Sequence, residues 1–144
     1  MDIILLAKKN LSNLQGYIDF KHQGLRITDD LILDSRLLSE NEKVIGFYIN
    51  RSLERNAIVI TDQKMIVYDH NLHSDIKYSD IENCYTEPDK NSTKIFIERK
   101  DGILNIISVD GVKEGKFFDI YGFLRFIKKV LINIKLTQTI SLQA

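Results

Sequence analysis

The chain has one cysteine, one proline and three histidines, and its twenty basic residues are matched by twenty acidic ones. The lone Cys84 excludes an internal disulfide and a metal cage made of several thiolates, and it fits a reducing compartment, so a cytoplasmic location is expected. Zero net charge removes the overall electrostatic footprint of a nucleic-acid binder, so no nucleic acid is expected as partner. No apolar run reaches the roughly 20 residues that a membrane-crossing helix needs. The strongest candidate is interrupted by Arg125, Lys128 and Lys129. The opening apolar block, Ile3 to Ala7, is too short for an export signal and has no basic flank before it. Enzyme signatures are missing as well: there is no phosphate-cradling glycine loop, no Gly-x-Ser-x-Gly elbow, no His-Glu-x-x-His and no paired-cysteine site. The expectation is a chain with no catalytic residues, no cofactor and no resident metal.

What is present is the composition of one ordinary globular domain: 144 residues, 44% apolar and 28% charged. That size buries a real core without disulfides. Ile4, Ala7, Leu11, Leu14 and Ile18 recur at spacings of three and four, which predicts a helix along the first segment. A second short helix is expected from Thr28–Asp29, whose oxygens can cap it, through Leu31 to Leu38. From Lys43 the period changes. Val44 to Ile49 reads as a strand, Ala57 to Ile60 and Met65 to Tyr68 as a hairpin, and Ser74 to Tyr78 and Ile81 to Thr86 as shorter strands.

Asp101–Gly102 is suited to a tight hairpin turn between Lys94–Lys100 and Ile103–Val109. A two-residue turn there sets Ile97 opposite Ile106 and puts Ile95, Ile97, Leu104 and Ile106 on the core face. Phe117, Ile120, Leu124, Ile127, Leu131 and Ile134 then return to helical spacing, which predicts a helix over about Lys116 to Lys135. The resulting division is a helical extension over 1–40, a β-rich unit over 41–136 and a frayed tail over 137–144.

The Ile58 to Asp69 segment, with Thr61–Asp62, Lys64, Met65–Ile66–Val67 and Tyr68–Asp69, resembles the bacterial pleckstrin-homology-like (PH-like, GRAM-like) domains, as does Ile76 to Ile81. The resemblance covers Leu38 to Leu136. It implies an α+β, mainly β fold: a bent, seven-stranded antiparallel barrel with a C-terminal amphipathic helix, here with a helical N-terminal extension. It also implies an assembly or adaptor module. In eukaryotic members of the superfold, basic residues at the first strand-strand loop and on the adjoining strands bind anionic lipid headgroups, and the matching positions are Arg51 and Arg55 in the loop and Lys64 on the next strand.

Guanidinium groups suit such a ligand because they offer paired donors in one plane. Glu54 between the arginines weakens the pattern, and two solvated arginines are the plainer reading. Protein contact is the stronger expectation, with a protein partner or a homo-oligomer as occupant. It rests on the N-terminal stripe, Leu11 and Leu14, and on Phe118 and Phe126, which fall outside the centre of the C-terminal helix's core stripe. The same stripe is equally suited to packing on its own sheet. Asp69, His70, His73 and Asp75 crowd together as metal ligands can, yet Asp69–His70–Asn71 also reads as an exposed turn, the reading preferred here. Cys84, flanked by Glu82 and Glu87, reads as a buried strand residue.

Overall fold

The computed structural model describes the backbone of residues 2–20, 25–89 and 91–143, and side chains as far as Gln138. Helix α1 (Ile3–Leu11) starts where the Asp2 carboxylate accepts the Ile4 amide at 3.0 Å, and Lys8 and Lys9 sit favourably in its last turn. The predicted stripe continues in helix only to Leu11. Beyond it the amides of Gln15 and Gly16 turn to the Asp119 carboxylate, each at 3.0 Å, and Ile18 enters strand β1 (Tyr17–Asp19).

The helix expected over 28–38 is absent. Strands β2 (Arg26–Thr28) and β3 (Leu31–Ile32) form a small ribbon, followed by a 3-10 turn at Ser35–Leu37. The apolar residues there follow a two-residue period: Leu31 and Leu33 are buried while Ile32 between them is 60% exposed. The Thr28 hydroxyl, taken as a helix cap, instead accepts the Asp30 amide inside the ribbon's turn.

Strands β4 (Val44–Ile49), β5 (Asn56–Thr61), β6 (Lys64–Asp69) and β7 (Leu72–Lys77) form an antiparallel meander that β1 extends, in the order β1-β4-β5-β6-β7. Strands β8 (Ile81–Thr86), β9 (Lys94–Arg99) and β10 (Leu104–Ser108) make a separate three-stranded sheet, ordered β10-β9-β8. The fold is α+β and mainly β, with antiparallel sheets and a C-terminal helix, as expected.

The seven-stranded barrel is not formed, because the sheets do not close. Strand β1 takes the edge of β4 that β5 leaves open, pairing Tyr17 with Tyr48 and Asp19 with Gly46, so no edge of β4 is left there for β10.

The register of the β9–β10 hairpin also differs from expectation by one residue. Its loop has three residues rather than two: the Arg99 amide donates to the Ile103 carbonyl at 3.0 Å, and Gly102 takes a φ of +88°. Ile97 therefore faces Asn105, and Ile106 faces Phe96. A slip of one residue turns every side chain of a strand over. Ile107 is buried, while Leu104 and Ile106, expected in the core, are 48% and 51% exposed.

A last ribbon, β11 (Val112–Lys113) with β12 (Phe117–Phe118), precedes helix α2 (Asp119–Gln143). The helix begins three residues later than its spacing predicts and continues past Lys135, and Phe117, assigned to its stripe, is exposed. Ile120, Phe123, Phe126, Ile127 and Val130 form its buried face. Among the described residues no helix is long and apolar enough to cross a membrane.

Two apolar cores result. The inner one joins both sheets to α1 and α2, through Leu11, Tyr48, Ile60, Met65, Ile97 and Phe123 among others. The second lies on the opposite face of the five-stranded sheet, where Ile27, Leu31 and Leu33 pack on Phe47, Val59 and Ile66. The segment before residue 40 is thus part of both cores.

Candidate binding surface

The 50–55 loop connecting β4 to β5 is held by Asn50, which is 1% exposed. Its amide donates to the Asn56 carbonyl oxygen of β5 (2.7 Å, side chain to side chain) and to the Ser108 backbone carbonyl of β10 (2.6 Å), and its own side-chain oxygen accepts the Asp110 amide (2.9 Å). The Ser52 amide and hydroxyl both donate to the Asp110 carboxylate. Asn50 thus ties the end of the first sheet to the end of the second. In the sequence it stands out only as the start of an Asn-Arg-Ser triplet, which says nothing of this role.

Arg51 is exposed on that loop and borders two clefts, one of about 250 Å³ against Gln15, Gly16 and Gly111, the other of about 550 Å³ against Arg26, Thr28 and Asp29. Arg55 borders neither. Its backbone is left-handed at φ 48°, its carbonyl accepts the His70 amide, and its guanidinium reaches Asn71 at 3.5 Å.

Lys64 stands at the opposite end of β5 and β6, a strand length of roughly 17 Å away at about 3.3 Å per residue. Its ammonium donates to the Leu37 carbonyl at 2.7 Å and pairs with Asp75 at 3.1 Å and Glu42 at 3.6 Å. The three basic residues expected to share one anion are therefore not brought together, and Lys64 serves as a buried brace. Burial alone would raise the Glu42 carboxyl, but hydrogen bonds from Thr61 and Ser39, with the Lys64 charge, outweigh it and hold Glu42 below the usual carboxylate range.

Beside the smaller cleft, Asp119 at the start of α2 pins three parts of the chain. It accepts the Gln15 and Gly16 amides and the Tyr48 hydroxyl at 2.7 Å, and the Gly111 amide donates to that hydroxyl at 2.9 Å. Burial and the Asp119 carboxylate push the Tyr48 phenol far up, so it stays a donor. A Cβ at Gly111 would sit on the Asp119 oxygen, so the approach requires glycine. Each donor meets an acceptor, which makes this a structural node.

The residues expected at a protein interface are placed differently. Leu11 and Phe126 are wholly buried in the chain's own inner core, so neither faces a partner in this fold. Leu14 and Phe118 are half-buried against the same core. The N-terminal stripe is covered by α2, to which α1 packs. Exposed apolar residues are found on several elements, among them a row on the outer face of the three-stranded sheet. Tyr85, Phe96 and Ile106 stand in register across β8, β9 and β10, with the two rings stacked at 5.4 Å, and Leu104 adjoins Ile106 on the same strand. A two-residue turn at Asp101–Gly102 would bury Leu104 and Ile106, so this face emerges only with the three-residue loop. The alternation on β9, with Ile95 and Ile97 buried and Glu98 exposed, was the signal that one face is wet.

His70 and His73 are exposed and each lies near one carboxylate, Asp69 at 2.9 Å and Asp75 at 3.7 Å. Among the described residues no group of three or more His, Cys, Asp or Glu side chains is arranged to hold a metal ion. Cys84 is buried, and burial pushes its thiol up against a smaller opposing pull from Lys128, the reverse of what a nucleophile needs. Comparisons with protein-family models, curated proteins and solved structures gave no match.

Proposed function

We propose that this chain is a non-catalytic, PH-like binding module that acts through protein–protein contacts, including contacts with itself. The PH-like part of the reading draws support from a four-stranded and a three-stranded antiparallel meander followed by one C-terminal helix. The observation that carries the functional part is the apolar row Tyr85–Phe96–Ile106, with Leu104, left open on the outer face of β8–β10. Contiguous apolar surface of this kind marks association sites in stable proteins. Light scattering during size-exclusion chromatography is expected to give a mass above that of the monomer, rising with concentration. A strictly monomeric species at high concentration would count against self-association.

A further inference from the structure

We infer that the open edge of β10 is a dyad at which a second copy of this chain pairs antiparallel, centred on Asn105, forming one continuous six-stranded sheet. The inference rests on the reading of the chain as a self-associating module and names the contact.

The backbone groups come first. Arg99 bonds Ile103 across the hairpin and the Val109 amide bonds the Thr93 carbonyl, so the inward-bonded residues of β10 are Asn105 and Ile107. Leu104, Ile106 and Ser108 turn their N–H and C=O outward. The Ser108 carbonyl is taken by the Asn50 side chain at 2.6 Å. Those of Leu104 and Ile106 have no partner among the described residues.

Four groups spaced in this way are self-complementary in one register. With Leu104 opposite the partner's Ile106, and the partner's Leu104 opposite Ile106, all four on each copy are bonded. Shifting the pairing to centre on Ile106 would set Leu104 against the partner's Ser108, whose carbonyl is already engaged.

The side chains favour the same register. On the outer face it sets Leu104 against the partner's Ile106 and joins the two apolar rows. On the inner face Asn105 meets the partner's Asn105 in the closer, non-hydrogen-bonded type of pair. The Asn105 side-chain oxygen has no hydrogen-bond partner within the chain, and a turn of the side chain toward the dyad would bring it to the partner's amide.

Charge separates this edge from the other edges of the two larger sheets. Ile103 to Val109 carries none, whereas the edge strands β7, β8 and β1 carry Asp75 and Lys77, Glu82, and Asp19. Charges of that kind keep edges from pairing, and β10 lacks them.

The experiment uses the full chain. Asn105→Cys places two thiols at a Cα separation of about 4.5 Å across the dyad, within disulfide reach. Mild oxidation is expected to give a disulfide-linked dimer of Asn105→Cys, and none of wild type, whose one cysteine is buried, or of Leu72→Cys on the exposed β7 edge. Ile106→Lys, at a half-exposed position, is expected to keep the circular dichroism of wild type and to run as a monomer. A dimer that persists in Ile106→Lys, with no link through Asn105→Cys, overturns the β10 contact and leaves self-association standing at another surface. A wild type that stays monomeric at high concentration overturns both.

Discussion

The two sheets of this molecule are built on different terms. In β4, β5 and β6 both faces are covered, the inner by α1, α2 and the second sheet, the outer by the segment carrying Ile27, Leu31 and Leu33. Those strands accordingly read as nearly continuous apolar runs, such as Ala57–Ile60. Among the described residues only one face of β8, β9 and β10 is covered, and the open face mixes polar residues such as Glu82 and Glu98 with the apolar row. The difference implies that stability is concentrated in the first sheet and that the second has surface to spare for association.

The largest effect is expected where the first sheet is covered twice. Phe47 is fully buried in the second core, edge-on to Phe20 with ring centroids 6.0 Å apart. Phe47→Ala should lower the unfolding free energy measured in urea by about 4 kcal/mol. A loss under about 1 kcal/mol would mean that the 27–33 segment does not cover that face in solution.

The order of strands from Val44 to Thr86 was legible because each apolar run was bounded by polar turn residues. Helix α1 was legible as far as Leu11, and the chain from there to Leu38 was not. The spacing of Ile4, Ala7 and Leu11 continues through Leu14 and Ile18, yet the amides after Leu11 are claimed by Asp119, more than a hundred positions away. No local pattern carries such a contact. Barrel closure failed for a related reason, since a three-residue strand, β1, pairs with β4. At the candidate surface the sequence supplied the loop carrying Arg51 but not its separation from Lys64, because both ends of a strand look alike until pairing is known. Phe126 falls outside the stripe only if the helix is phased on Phe117, which lies in a strand.

A smaller effect is expected at the polar base of the covered sheet. The Glu42 side chain is wholly buried and Lys64 nearly so, hence removal of the cation by Lys64→Ala leaves a buried carboxylate with hydrogen bonds but no counter-charge and should cost about 3 kcal/mol at neutral pH. Glu42 titrates below its ordinary value of 4.5 in the folded chain. The unfolded chain therefore binds more protons in mildly acid solution. Its contribution is complete above the ordinary value and is lost as pH falls through the folded one. Thermal midpoints measured from pH 7 to pH 3 should fall across that window, and less steeply in Lys64→Ala, which lacks the charge that favours the ionised form. Equal slopes in the two proteins would remove Lys64 as a cause of the shift.

The smallest expected effect is the one that tells most about the second sheet. Ile106 is half exposed and its neighbours on the outer face, Leu104 and Phe96, are only partly covered, so Ile106→Thr removes little buried area and keeps a β-branched residue in the strand. In dilute solution its unfolding free energy should lie within about 0.5 kcal/mol of wild type. At higher concentration the proteins should part. Association that binds only the folded chain adds stability by mass action, so the wild-type midpoint should rise with concentration while that of Ile106→Thr stays nearly fixed. Urea unfolding at two protein concentrations separates the terms. A loss above about 2 kcal/mol in dilute solution would place Ile106 in the core and return β10 to the register of a two-residue turn, and with it the contrast between the sheets would go.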